Sequence, residues 1–202
     1  MPTRHELPRR RADAERSIAR ILDAALDALA SDPDASMAEI ARRARVVRAT
    51  IYVHFPNREA LIDAVTERAI TEVSAAIDTA EPERGDPADA LGRVLASTWR
   101  ELGRYHALVA ITTQLPHADA RAKHHPVLAR LEPLIARGQR EGRLRSDVPA
   151  AWHLSMVMAL IHAASAELQA GRIAADQAEA ALLSTILGAI GAGPVPRSPG
   201  RP

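Results

Sequence analysis

The sequence predicts an all-α fold. Apolar residues recur at helical spacing in segment after segment, the breaks between segments carry proline, glycine and helix-capping side chains, and no stretch alternates apolar and polar residues as a half-buried strand would. The 202 residues are 47% apolar and 25% charged, a composition that suits one large or two small folded domains. The net charge is only +1, so a surface for nucleic acid must be local. Cysteine is absent, which excludes disulfides and thiolate metal sites. No apolar run reaches the roughly 20 residues of a membrane helix, and the basic N-terminus lacks an apolar signal region. A cytoplasmic protein with no membrane partner is expected. Lys123 is the only lysine, so the arginine bias reads as codon usage, and only the placement of arginines carries meaning.

Residues 1–11 read as a flexible basic arm with Arg4, Arg9, Arg10 and Arg11. The first helix is expected from Ala12 to Ala30, with Ile18, Ile21, Leu22, Ala25 and Leu29 as one stripe, stopped by Asp32-Pro33. Ser36 and Glu39 form an S-x-x-E capping box for a second helix. A turn at Arg45-Val46 follows, and a third helix runs from Val47 to Phe55, where Pro56 disfavours helical geometry at the residue before it. Asn57 caps a fourth helix that continues to Thr79. The segment 80–87 is the clearest break; Asp86 caps a fifth helix with Pro87 at its first position. A sixth helix is expected over residues 105–115, a polar loop over His117–His125, and a seventh helix from Pro126 to Gly142, kinked at Pro133. The last two helices, 151–169 and 174–190, are apolar on more than one face, so each is expected to be buried on two sides. The implied division is a helix-turn-helix domain over 12–60, a connecting helix over 61–80, a regulatory and dimerisation domain over 81–190, and a disordered tail over 191–202.

The stretch 36–61 carries the chemistry. Arg42, Arg43, Arg45 and Arg48 crowd the turn of a helix-turn-helix, whose second helix can enter the major groove of DNA. Arg48 is the candidate base reader, because a guanidinium pairs bidentately with guanine; Ala49 and Val53 share its outward face. Thr50, Tyr52 and His54 suit phosphate or sugar contacts, which fix register, and Arg58 adds charge at the start of the fourth helix. The arm arginines could enter a minor groove.

From about Arg16 to Ala69 the chain resembles the DNA-binding domain of the TetR family of transcriptional regulators. The residues that carry the resemblance are Ile21-Leu22-Asp23-Ala24-Ala25, Met37-Ala38-Glu39-Ile40-Ala41 and, above all, Thr50-Ile51-Tyr52-Val53-His54-Phe55-Pro56-Asn57-Arg58-Glu59-Ala60-Leu61. Arg58 stands where the family has lysine. Two positions depart from the family pattern: Arg45 replaces the usual turn glycine and Val47 replaces a capping Ser or Thr. Each substitution is expected to cost about 1 kcal/mol. The resemblance implies a regulator that binds double-stranded DNA as a homodimer, a repressor released from a palindromic operator by a small-molecule effector. A transcriptional activator of the same fold, and a helical homodimer that binds no DNA, are the alternatives.

The large or polar side chains set in otherwise Ala/Leu/Val-rich helices nominate an effector site: Trp99, Tyr105, His106, Gln114, Trp152, Met156 and His162. With two tryptophans, two tyrosines and one phenylalanine, the chain is poorly provided for stacking on a flat multi-ring ligand, which favours a modest apolar or amphipathic one. The dimer interface is assigned to Ala159, Ala163 and Ala166 with Leu182, Leu183, Ile186 and Ile190, a helix pair from each copy forming a four-helix contact. His117, His124 and His125 are read as a solvated loop, and no metal or cofactor is expected. Catalytic spacing of the Ser-His-Asp kind and phosphate-cradling glycine loops are missing from the sequence, so no catalytic residue is nominated.

Overall fold

The computed structural model describes the backbone of residues 6–112 and 117–191 and the side chains of 13–109 and 122–191. The described elements are all helical: α1 (Glu6–Ser31), α2 (Met37–Arg43), α3 (Arg48–His54), α4 (Arg58–Thr79), α5 (Pro87–Leu102), α6 (His106–Thr112), α7 (His117–Arg140), α8 (Ala150–Gln169) and α9 (Ala175–Ile190). Among the described residues there is no strand; the single β-bridge joins Leu144 to Gly191. Arg4 and the tail beyond Gly191 lie outside the described residues, as do Gln114 and the side chains of Arg9, Arg10 and Arg11.

Side-chain caps set three of the helix starts. Ser36 Oγ accepts from the Glu39 amide at 3.2 Å, Asn57 from the Ala60 amide at 2.8 Å, and Asp86 from the amides of Ala88 and Asp89. α1, α2 and α3 form a small head around Ile21, Ala25, Ile40 and Ile51, each no more than 1% exposed. α1 packs against α2, α4 and α6, so the head is bonded to the body along more than one element. α4 then runs beside α5 and α7, and α8 lies against α6, α7 and α9.

Three expectations require correction. Residues 6–11, read as arm, belong to α1; Pro8 is compatible because the first helical turn has no amide partner to lose. Residues 117–125, read as loop, open α7, and both Pro126 and Pro133 lie inside that helix. Tertiary ties hold this polar segment: Lys123 pairs with Asp63 on α4, and His124 packs against His162 on α8 with ring centroids 5.7 Å apart. Finally, Leu182, Ile186 and Ile190 face inward with Ala178, each 4% exposed or less. They bind α9 to its own protomer and are not available to a partner; Leu183 is half-buried.

Candidate DNA-reading head and effector cavity

The turn between α2 and α3 carries strain where the sequence places it. Arg45 adopts φ +54°, the left-handed region that favours glycine. Val47 occupies the N-cap of α3 with extended geometry and makes no side-chain cap hydrogen bond. The helix forms nonetheless, because Ile51 and Phe55 anchor it in the core and Val46 N donates to Ala41 O at 3.0 Å across the turn.

The arginines of the head divide by what they touch. Glu39 does not close its capping box; its carboxylate instead receives Arg42 at 2.7 Å and 2.9 Å and Arg43 at 2.9 Å. These bonds, Arg42's the larger, hold the Glu39 carboxyl down to about 2. Arg43 also donates to the Asp27 carbonyl at 3.0 Å, so it ties α2 to α1. Arg58 donates to the carbonyls of Pro33 and Ala35, fastening the start of α4 to the loop between α1 and α2. Arg48 stays on the outer face, its guanidinium 5.7 Å from the centre of the Tyr52 ring. Ala49 and Val53 are exposed beside it, while Thr50 and His54 are half-buried.

In the body, a cavity of about 60 Å³ lies between α4, α5, α6, α7 and α8. α4 contributes Thr66, Ala69, Ile70 and Val73; α5 contributes Thr98 and Leu102; Met158, Ile161 and His162 come from α8, and His124 and Val127 from α7. Its lining is mostly apolar, with a few placed polar groups. Of the nominated effector residues, Tyr105 and His162 line it. Trp99 and His106 do not line it; both are buried, their rings tilted by 42° with centres 4.3 Å apart. Met156 is half-buried outside the lining, and Trp152 is 63% exposed near the start of α8 beside Pro149 and Ser155, away from the cavity.

Thr98, which was not nominated, is the most informative lining residue. It is 4% exposed, and its hydroxyl has no hydrogen-bond partner. A buried hydroxyl left unmatched costs about 1–3 kcal/mol. Only a search for voids could have found it, since threonine on a helix carries no distinctive signal. His106 and His162 are pushed below the usual histidine range by burial, with His124 adding to the effect at His162. His106 Nδ1 lies 3.1 Å from Ser165 Oγ, but Ser165 is 0% exposed, so this pair joins α6 to α8 beyond the reach of a substrate.

Tyr105 links the cavity to the head. Its hydroxyl donates to Glu72; burial first and that carboxylate second push the phenol up to about 12, against the opposing influence of Arg68. Glu72 lies 3.8 Å from Arg68 and 3.9 Å from Arg104, and both arginines reach Asp23 on α1, at 3.0 and 3.4 Å. Among the described residues no group of three or more His, Cys, Asp or Glu side chains could hold a metal ion, and no helix is long and apolar enough to cross a membrane.

A tri-helical head with an exposed arginine-bearing helix after a tight turn is a helix-turn-helix DNA-binding module. Residues 21–65 match the model of the bacterial regulatory proteins of the tetR family, and the head is a helix-turn-helix domain of that family's kind. The chain is a DNA-binding transcriptional regulator. It is 27% identical over 165 residues to the HTH-type transcriptional regulator NfxB of Pseudomonas aeruginosa, covering 78% of this chain and 85% of NfxB. It is 39% identical over 83 residues to the HTH-type transcriptional repressor LfrR of Mycolicibacterium smegmatis, covering 41% and 44% of the two chains. The crystal structure of LfrR in complex with proflavine superposes with a TM-score of 0.69 at 26% identity, over 87% of this chain and 97% of that one.

Proposed function

We propose that the chain is a repressor that grips a palindromic DNA site as a homodimer and releases it when a small organic molecule fills the cavity. One observation carries the reading: α4 is at once a wall of the cavity, through Thr66, Ala69, Ile70 and Val73, and a strut of the head, through Arg58 and the Arg68–Asp23 pair. A ligand that moves α4 moves the reading helix with it. The Tyr105–Glu72–Arg68–Asp23 chain offers a second route between the same two places. LfrR, a repressor whose structure holds proflavine, supports both parts of the reading by likeness.

In this reading Arg48 and Ala49 meet base edges, and Thr50, Tyr52 and His54 meet the backbone. Arg42 lends charge from its exposed position, whereas Arg43 and Arg58 serve the head's own architecture, and Arg45 shapes the turn. The partner copy meets the outer faces of α8 and α9. There Ala159, Ala163, Ala181, Ser184 and Gly188 are exposed, Ala166 is half-buried, and small side chains permit close backbone approach. The effector is mostly apolar and uncharged: no carboxylate lines the cavity among the described residues, and its hydrogen-bonding group meets Thr98. No enzymatic activity, cofactor or metal enters the account, and the site of action is the cytoplasm.

Selection of binding sites from a random duplex library tests the reading. Enrichment of a two-fold symmetric site, bound more weakly as salt rises, is the expected result, because phosphate contacts release counterions. Failure to enrich any site, or affinity indifferent to salt, overturns it.

A further inference from the structure

The outer surface of α3 is apolar to a degree that folding does not require. The large hydrophobic side chains that stand exposed among the described residues are Val47 at 70%, Tyr52 at 40%, Val53 at 78% and Trp152. Three of these four belong to one seven-residue helix and its N-cap. At about 100° per residue, Ala49 and Val53 lie one turn apart on a single row. Arg48 and Tyr52 form the neighbouring row, and Ile51 is buried on the opposite side. The reading helix therefore presents a charged and aromatic row beside a row of methyl groups.

Both valines forgo something at their positions. At the N-cap a hydroxyl or carboxamide would stabilise the helix by about 1 kcal/mol, and Val47 supplies no cap bond. Val53, more than three-quarters exposed, adds nothing to the core. The apolar feature that the major groove offers is the C5-methyl group of thymine. We propose that Val53 and Ala49, and separately Val47 exposed at the N-cap, read thymine methyl groups beside the guanine met by Arg48, so that each half-site is specified by a G flanked by thymines. This rests on the DNA-binding reading above and adds to it which base features the helix selects.

The test uses the full chain and the duplex recovered from library selection. Each thymine is replaced in turn by deoxyuridine, which removes the methyl group and keeps every hydrogen bond. At one or two thymines in each half-site, affinity should fall by about fourfold, the fold-change that corresponds to burying one methyl group. In Val53→Ala the penalty at one of these thymines should disappear while dependence on the guanine persists; in Val47→Ser another should disappear while the melting temperature rises. Unchanged melting of Val53→Ala shows that the variant is folded. An enriched site whose affinity stays within twofold at every deoxyuridine overturns this inference alone, as does a penalty that survives both substitutions. A library with no enriched site overturns the DNA-binding reading, and this inference falls with it.

Discussion

The head and the body use apolar and polar residues in opposite ways. On α3 the large apolar groups Val47, Tyr52 and Val53 stand in water, while in the body Thr98, His106 and Ser165 are sealed inside. Ordinary folding would place each set the other way round. Apart from exposed Trp152 and buried His153 on α8, the large side chains elsewhere follow the ordinary pattern: Ile21, Ile40, Leu91, Ile135 and Ile186 are buried, and many charged side chains pair at the surface. The two inversions mark the places where the sequence answers to something besides its own stability. In the head the price of inversion is exposed methyl surface; in the body it is an unmatched hydroxyl and two histidines, His106 and His162, pushed below their usual range by burial.

Four variants or conditions probe this contrast. The largest effect is expected from Ala163→Arg on the outer face of α8. A guanidinium in a face of small side chains should convert the dimer to monomers in sedimentation and lower operator affinity by about 100-fold, since one head must bind without the other. A dimer that persists would show that the partner sits on another surface.

Thr98→Val sharpens the body's side of the comparison. Removing the unmatched hydroxyl should stabilise the free protein by about 1 kcal/mol and weaken ligand binding by about tenfold. A destabilised variant would mean that the hydroxyl is satisfied in the free protein.

Acid should weaken the body next. His106 and His162 are held below the unfolded histidine value by burial, so the unfolded chain takes up their protons first. Stability is therefore full above the ordinary histidine range and is lost as pH falls through it and then through the lower folded values. Urea melts at stepped pH should show this decline, shallower in His162→Leu. An equally steep decline in that variant assigns the effect to other groups.

Arg45→Gly is the smallest change. It relieves the left-handed strain at φ +54° and should raise stability by about 1 kcal/mol, seen as a higher melting temperature. A lower one would mean that the arginine side chain repays its own backbone strain.

The head was legible from sequence because its signals are local. Ser36, Asn57 and Pro56 act within three residues of themselves, and the spacing of Ile40, Ala44 and Ile51 fixes which sides turn inward. The body was less so. The first turns of α7 look like a loop because what makes them helical is contact with Asp63 and His162, 60 and 38 positions from Lys123 and His124. α9 has two apolar sides, and periodicity cannot tell that Leu182, Ile186 and Ile190 face their own chain while Ala181 and Gly188 face out. A cavity is a shortage of atoms, and no residue type announces it; of the side chains singled out as large or polar, Tyr105 and His162 line it, Trp152 is exposed elsewhere on α8, and Thr98, a lining residue, has no such mark in the sequence.

The central claim is that α4 joins cavity to reading head, and its direct test measures both in one cuvette. A compound is chosen from an uncharged organic library because it raises the melting temperature of the wild-type protein and not that of Thr98→Val. Fluorescence anisotropy of the labelled operator duplex is then recorded with and without saturating compound. The account predicts that the compound lowers DNA affinity by about tenfold or more, a coupling of ordinary size, and that DNA lowers affinity for the compound by the same factor. Unchanged operator affinity in the presence of a bound compound would contradict it.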